Sequence, residues 1–451
     1  MKKARSAIMT SPAVTSSTAP SVPRPEAPSA AVERGEAERT GRIISIDALR
    51  GLVVFTMIFV NDLAGAPPHL VPAWMRHYHG RSGMTFVDLV FPAFLFVVGM
   101  SIPFALGRRL DKAGYFQTVG HIVLRSGSLL LIGILMVNGQ PDSARMGWSG
   151  TVWTVLMYAA VIVTFSRFAG TSFRGEQPRR SLTTWALTGL RLAGFATLIY
   201  LTLAYRGREG SRLLGLSPFT LSVKWYGILG LIGWAYLVAA VIFLLFRGQR
   251  TALAVSMAIL FCLYPADRNG LFQNFWPARY VGFGSTLGSQ AAITVGGLLL
   301  ASILTDPGLT DTRRRVKFAL LFVLACSIGA WLLTPLYGIN KNAATPAWCL
   351  WACAITAVLW LGFYLATGQS HPQRPAPAWA RALALAGGNV LLAYLLSEVF
   401  PSLLDLLHLG RAYNSLAEHN LASAIARSAG CALLLLLVST GLNRAGFRLR
   451  L

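Results

Sequence analysis

His69, His77 and His79 fall between two apolar runs of this sequence, and Asp62 and Asp88 bracket them. A histidine titrates near neutrality, so it can take a proton from an amine or hydroxyl nucleophile. His77 and His79 stand two apart in Trp74-Met75-Arg76-His77-Tyr78-His79-Gly80, a loop segment. Three readings apply to them: a general base or acyl relay, a metal pair completed by Asp62, Asp88 or His69, or ordinary surface-loop residues. Asp88 opens the second apolar run, where a carboxylate must be paired or sit at an interface. It can orient a histidine as outer carboxylates do. Asn61 ends the first run. It can donate to a developing oxyanion or hold an imidazole, or it can simply end a helix.

Further candidates lie along the chain. Asp47 and Arg50 are three apart, one helical turn, and form either a cap with an anchor or an ion pair that fixes the cytoplasmic end of a site. Asn61 follows Asp47 by fourteen residues, about 21 Å of helix, so the two mark opposite ends of the first run. Asn340, Lys341 and Asn342 offer donors to a sugar, carboxylate or phosphate, or form a cap loop before a helix that starts at Pro346. Glu398 lies late in an apolar run and needs a partner, for which Lys341 is the expected residue. Arg108 and Arg109, and His121 with Arg125, suit an anionic cofactor or reflect general charge bias.

The elements that must hold these residues are membrane helices. The chain is 54% hydrophobic and 13% charged, against roughly a quarter charged in soluble domains. Apolar runs lie near 44–62, 86–104, 121–138, 151–168, 183–204, 225–246, 251–266, 286–304, 318–336, 344–366, 382–402 and 421–442. Most are long enough to cross a ~30 Å hydrocarbon core. The alternation of a barrel is absent. The expected fold is all-α: a polytopic bundle of about twelve transmembrane helices, or eleven if the short run 251–266 is re-entrant.

Basic residues collect at alternate loops: Arg42; Arg108, Arg109 and Lys112; Arg174, Arg179 and Arg180; Arg247 and Arg250; Arg313 to Arg315 and Lys317; Arg374 and Arg381; Arg444, Arg448 and Arg450. By positive-inside bias these loops and both termini are cytoplasmic, and the histidine loop faces outward. The segment 205–224, with Arg206, Arg208, Arg212 and Lys224, runs against this map. The formal charge of +23 reflects this bias. No aromatic-basic recognition segment accompanies it, so no nucleic-acid partner is expected. Residues 1–40 read as a disordered cytoplasmic tail ahead of a transmembrane domain over 41–451. The five cysteines read as small core residues. Walker, dinucleotide and zincin motifs are absent, and Gly227-Ile228-Leu229-Gly230 reads as close helix packing.

Six stretches in order resemble the heparan-alpha-glucosaminide N-acetyltransferase family, in its bacterial branch of membrane acyltransferases. They are Ser45-Ile46-Asp47-Ala48-Leu49-Arg50-Gly51, Met57-Ile58-Phe59-Val60-Asn61, residues 83–92, residues 227–236, Ile339-Asn340-Lys341-Asn342 and Ser397-Glu398-Val399-Phe400. The resemblance implies a bacterial inner-membrane enzyme that takes acetyl from cytosolic acetyl-CoA, the co-substrate, and passes it to the amine of a terminal glucosamine on the far side. No metal is expected. It implies that the basic-His pair Arg76-His77 carries the catalytic histidine, with His79 still open, and that Asn61 is the family's asparagine. Asp88 then orients or balances charge. Asp47, Arg50, Asn340, Lys341, Asn342 and Glu398 are expected at the substrate, and Arg108, Arg109, His121 and Arg125 at the cofactor. The expected partners are an amino-sugar or oligosaccharide acceptor, membrane lipid and a second copy of the chain. The rival readings are an amino-sugar or cell-wall-fragment transporter, an O-acyltransferase acting on a polysaccharide, and a structural or regulatory membrane protein.

Overall fold

In lipid every backbone N–H and C=O must be satisfied within its own segment, so apolar runs of this length become helices. The computed structural model describes residues 43–137, 141–168, 182–207, 212–216, 219–221, 226–367 and 376–449. The expected tail over 1–40 lies outside these residues, as do Arg42, Arg174, Arg179, Arg180, Arg208, Lys224, Arg374 and Arg450 of the charge map.

Twelve apolar helices follow in order: α1 Ile44–Leu63, α2 Val87–Ala113, α3 Tyr115–Val137, α4 Gly150–Thr164, α5 Leu182–Ala204 and α6 Gly227–Phe246. Then come α7 Arg250–Arg268, α8 Phe283–Thr305, α9 Thr312–Tyr337, α10 Pro346–Ala366, α11 Ala378–Leu406 and α12 Leu421–Arg444. Among the described residues, eleven are long and apolar enough to cross a membrane. The short one is α4, with 15 residues, about 22 Å. The run expected to be short, 251–266, belongs to α7, which has 19 residues. The sequence reading carries α4 too far: Ser166–Phe168 leaves the helix as strand β1.

Strand β1 pairs antiparallel with the C-terminal strand β4, Phe447–Leu449, with Ser166 opposite Leu449. The end of α4 therefore meets the end of α12. Strands β2, Leu214–Leu216, and β3, Phe219–Leu221, form a separate small hairpin. One end of the bundle gathers the loops that contain His77 and Lys341. The opposite end gathers Arg50, Arg108, Arg167 and Arg250.

Helix α8 is the most enclosed span, with 89% of its apolar window buried. It opens with a π-helical stretch, Phe283–Gln290. It lies against α2 at paired glycines: a Cβ at Gly99 would meet the Thr294 carbonyl, and one at Gly297 the Phe96 carbonyl. Without a hydrophobic drive between helices in lipid, such close backbone contact supplies the attraction. Gly133 and Gly230 bring α3 and α6 together in the same way, in line with the reading of the Gly227–Gly230 segment. Pro346 starts α10 behind the Thr345 N-cap, as expected. Helix α11 is broken: a 3-10 turn at Gly387–Asn389 separates Ala378–Ala386 from Val390–Leu406.

Candidate active site

His77 stands in the 64–86 loop, and Asp88 in the first turn of α2. The Asp88 carboxylate is 1% exposed. Oδ2 accepts from the backbone N–H of Tyr78 at 3.0 Å and of Thr85 at 3.1 Å. Those bonds fold the loop back over the helix start and fix the carboxylate. Oδ1 then lies 2.8 Å from His77 Nδ1. A carboxylate oxygen only accepts, so in a hydrogen bond to Asp88 it is Nδ1 that carries the proton, the tautomer that leaves the Nε2 lone pair for chemistry. The His77 side chain is 40% exposed, open enough to meet a substrate.

The third member comes from 264 residues further on. Lys341 Nζ lies 3.7 Å from Asp88 Oδ1, an ion pair, and 3.0 Å from His77 Nδ1, to which an ammonium donates only when the imidazole proton sits on Nε2. The two loops are stitched together by Gly83 N–H donating to the Ile339 carbonyl at 2.9 Å and Ile339 N–H donating to Ser82 Oγ at 3.0 Å. Asn340 Oδ1 accepts from Ala343 N–H at 3.0 Å, shaping the turn that presents Lys341. Burial pushes the Lys341 ammonium below the ordinary lysine range, with the Asp88 charge opposing.

At the opposite end a cavity of about 650 Å³ is lined by Arg50, Arg108, Arg109, His121, Arg125 and Arg167. Arg50 is held by Asp47 at 2.9 Å and donates to Ser101 Oγ at 2.6 Å. Arg125 lies over the Tyr236 ring, 4.7 Å from its centre. The break in α11 lines the same cavity through Gly387, Gly388, Asn389 and Val390. A helix start among arginines suits an anion such as a phosphate. The cavity also reaches inward to Met57, Phe94 and Tyr394. Phe94 is six residues from Asp88 on α2, about 9 Å along the axis.

The structure thus divides the expected substrate set. Asp47 and Arg50 belong to the basic cavity, with Arg108, Arg109, His121 and Arg125. Asn340, Lys341 and the exposed Asn342 belong to the His77 end. Glu398 is not paired with Lys341; it is hydrogen-bonded to Tyr394, one turn earlier on α11, while Lys341 is engaged by Asp88. His79, His69 and Asn61 are exposed, and no side-chain hydrogen bond ties them to the cluster among the described residues. Asp62 is committed elsewhere. It accepts from Tyr413 Oη at 2.6 Å, Ser428 Oγ at 2.7 Å and Arg427 Nε at 3.1 Å, binding α1 to α12. Among the described residues no group of three His, Cys, Asp or Glu side chains could hold a metal ion.

The sequence reading missed Arg167, the Gly387–Asn389 break and the Asp62–Arg427 lock. Signals exist for two. Gly387-Gly388-Asn389 interrupts an apolar run, and Arg427 is an isolated charge inside one.

The profile of a domain of unknown function, DUF5009, matches residues 42–193. That region holds α1 to α4, and with them His77, Asp88, Arg108, Arg109, His121 and Arg125. Heparan-alpha-glucosaminide N-acetyltransferase of Homo sapiens is 33% identical over 108 residues, 24% of this chain and 15% of the human protein. The protein of that name from Mus musculus is 32% identical over 108 residues, 24% of this chain and 16% of its own length. The match therefore spans less than a fifth of either curated relative.

Proposed function

We propose that this protein is a transmembrane N-acetyltransferase that moves acetyl from acetyl-CoA, held at the Arg108 end, to the amine of an amino sugar at the His77 end. One observation carries the reading: a basic cavity and an oriented histidine open at opposite ends of one bundle, with about 9 Å of α2 between the cavity's inner wall and Asp88. The relatives' printed names supply the acyl group and the acceptor class.

In this reading Arg50, Arg108, Arg109, Arg125 and Arg167 neutralise the phosphates of CoA. The pantetheine arm runs inward past Met57 and Phe94. His77 Nε2 takes the proton of the attacking amine, and Asp88 stabilises the imidazolium that forms. The amine nitrogen bonds to the acetyl carbon as the C–S bond breaks. The CoA thiolate leaves toward the Arg108 end and takes a proton from water there. Lys341 and the exposed Asn61 and Asn342 offer donors to the acceptor sugar or the oxyanion. Tyr394, hydrogen-bonded to Glu398, closes the inner part of the cavity. The concentration of arginine at the Arg108 end supports its placement, and that of the C-terminus, on the cytoplasmic side of a bacterial inner membrane.

The break in α11 favours a second reading, since broken helices build the substrate sites of transporters. One assay separates the two. Purified protein in detergent is given acetyl-CoA labelled in its acetyl group and free glucosamine, with His77→Ala alongside. Labelled N-acetylglucosamine that is lost in the variant supports the enzyme. No product, together with glucosamine uptake by liposomes carrying the protein, supports the transporter.

A further inference from the structure

A second concavity borders the His77 cluster. It is an apolar groove of about 710 Å³ walled by Met84, Trp331, Leu332, Pro335, Ile339 and Trp351. Two of its walls belong to the loops that build the cluster. Met84 precedes Thr85, whose N–H holds Asp88. Ile339 stands two residues before Lys341, and its backbone is bonded to Gly83 and Ser82. Each loop thus turns polar groups to His77 and an apolar side chain to the groove.

The remaining walls face outward from the bundle. Helix α9 is among the least enclosed spans, with 22% of its apolar window buried, and Trp331, Leu332 and Leu336 on it are exposed. In a chain of this hydropathy such a surface meets hydrocarbon. Trp331 and Trp351 lie within six residues of the His77 ends of α9 and α10, and tryptophan rings favour the membrane interface. The groove therefore meets the bilayer on one side and, on the other, shares with the cluster the two loops that carry Met84 and Ile339. A freely soluble sugar gains nothing from such walls. A molecule with an amine head and a hydrocarbon chain fits both parts at once.

We infer that the acceptor is a lipid-anchored amine, its headgroup at His77 and its hydrocarbon chain in the groove walled by Met84, Trp331, Leu332, Pro335, Ile339 and Trp351. This rests on the acyl-transfer reading above and narrows its acceptor. The chain would enter sideways from the membrane, so the enzyme would act on headgroups at the bilayer surface.

The test uses the full chain in liposomes and two acceptors, free glucosamine and dodecyl glucosaminide. Thr334 on α9 also lines the groove; Thr334→Trp fills the groove from there, and Leu332→Gln makes its wall polar should the first variant fail to fold. Either change raises KM for dodecyl glucosaminide about tenfold, the effect of displacing roughly two methylenes from an apolar wall. KM for free glucosamine stays within twofold. A second readout needs no turnover: dodecyl glucosaminide with a diazirine near the chain terminus labels the 331–339 segment on irradiation. Unlabelled dodecyl glucosaminide competes, and dodecyl glucoside, which lacks the amine, does not. Labelling elsewhere, equal competition by the glucoside, or variants that raise both KM values alike would overturn the inference. Specific labelling of the groove without acetyl transfer to either acceptor would leave the amine site standing and remove the acyl-transfer reading.

Discussion

In the proposed mechanism, Asp88→Asn isolates the step that makes His77 a base. The variant amide can still accept from Tyr78 and Thr85 through its oxygen, because those N–H groups lie 3.0 and 3.1 Å from the present carboxylate. Its NH2 then faces His77 Nδ1, which sits 2.8 Å from Asp88 now. An NH2 donates, so Nδ1 must accept and the proton moves to Nε2, the atom that has to be free. The imidazolium also loses its buried counter-charge, a charge-assisted bond worth about 1.5–3 kcal/mol. General-base assistance is itself worth about 10²–10⁴-fold. The expected loss in kcat is therefore about 10³-fold, near 4 kcal/mol of barrier, with KM for acetyl-CoA unchanged because the basic cavity is untouched. Initial rates of acetyl transfer, with thermal unfolding in detergent as the folding control, measure it. A folded Asp88→Asn protein with kcat within tenfold of the parent would refute the assignment of the base.

Other perturbations separate the remaining parts. His77→Ala is expected to abolish transfer while His79→Ala, at an exposed position, changes the rate less than threefold; paired rate measurements decide, and the reverse order would move the base to His79. Arg108→Ala and Arg125→Ala should each raise KM for acetyl-CoA about tenfold with little change in kcat, by loss of a charge-assisted phosphate contact. Added salt should weaken the parent more than the variants. The Lys341 ammonium, lowered by burial, is present below its pKa and lost above it, so activity should fall on an alkaline limb below the ordinary lysine range. Lys341→Arg should carry that limb to higher pH in a rate–pH profile. Gly99→Leu should fail to give a monodisperse protein, because its Cβ alone would meet the Thr294 carbonyl.

Much of the architecture is legible because lipid leaves a chain few options. Runs of about twenty apolar residues must be helices, and the arginine bias orders their ends. The exception is α4, where Ser166–Phe168 is drawn off to pair with β4, a partner 281 residues away that no local pattern announces. In the site, the pairing of a histidine with Asp88 was legible as a type of interaction. The choice between His77 and His79 was not, since two residues of loop give no fixed direction. It is set by the Tyr78 and Thr85 backbone bonds to Asp88. Lys341 was expected at Glu398 because both need a partner of opposite charge. Their places along the bundle decide otherwise: Glu398 lies within α11 beside Tyr394, and Lys341 lies in the loop above Asp88. Asp47 and Arg50 are expected at the substrate, yet the same sequence sets their pair at the cytoplasmic end, Asp47 fourteen residues from Asn61, and the structure places Arg50 in the basic cavity there.

The central claim is transfer between two ends of one protein. The most direct measurement places labelled acetyl-CoA outside proteoliposomes with the Arg108 end outward, and traps glucosamine inside. The account predicts N-acetylglucosamine accumulating in the lumen while the CoA product stays outside, and no lumenal product with His77→Ala. Product forming only when acetyl-CoA and glucosamine share one compartment would contradict it.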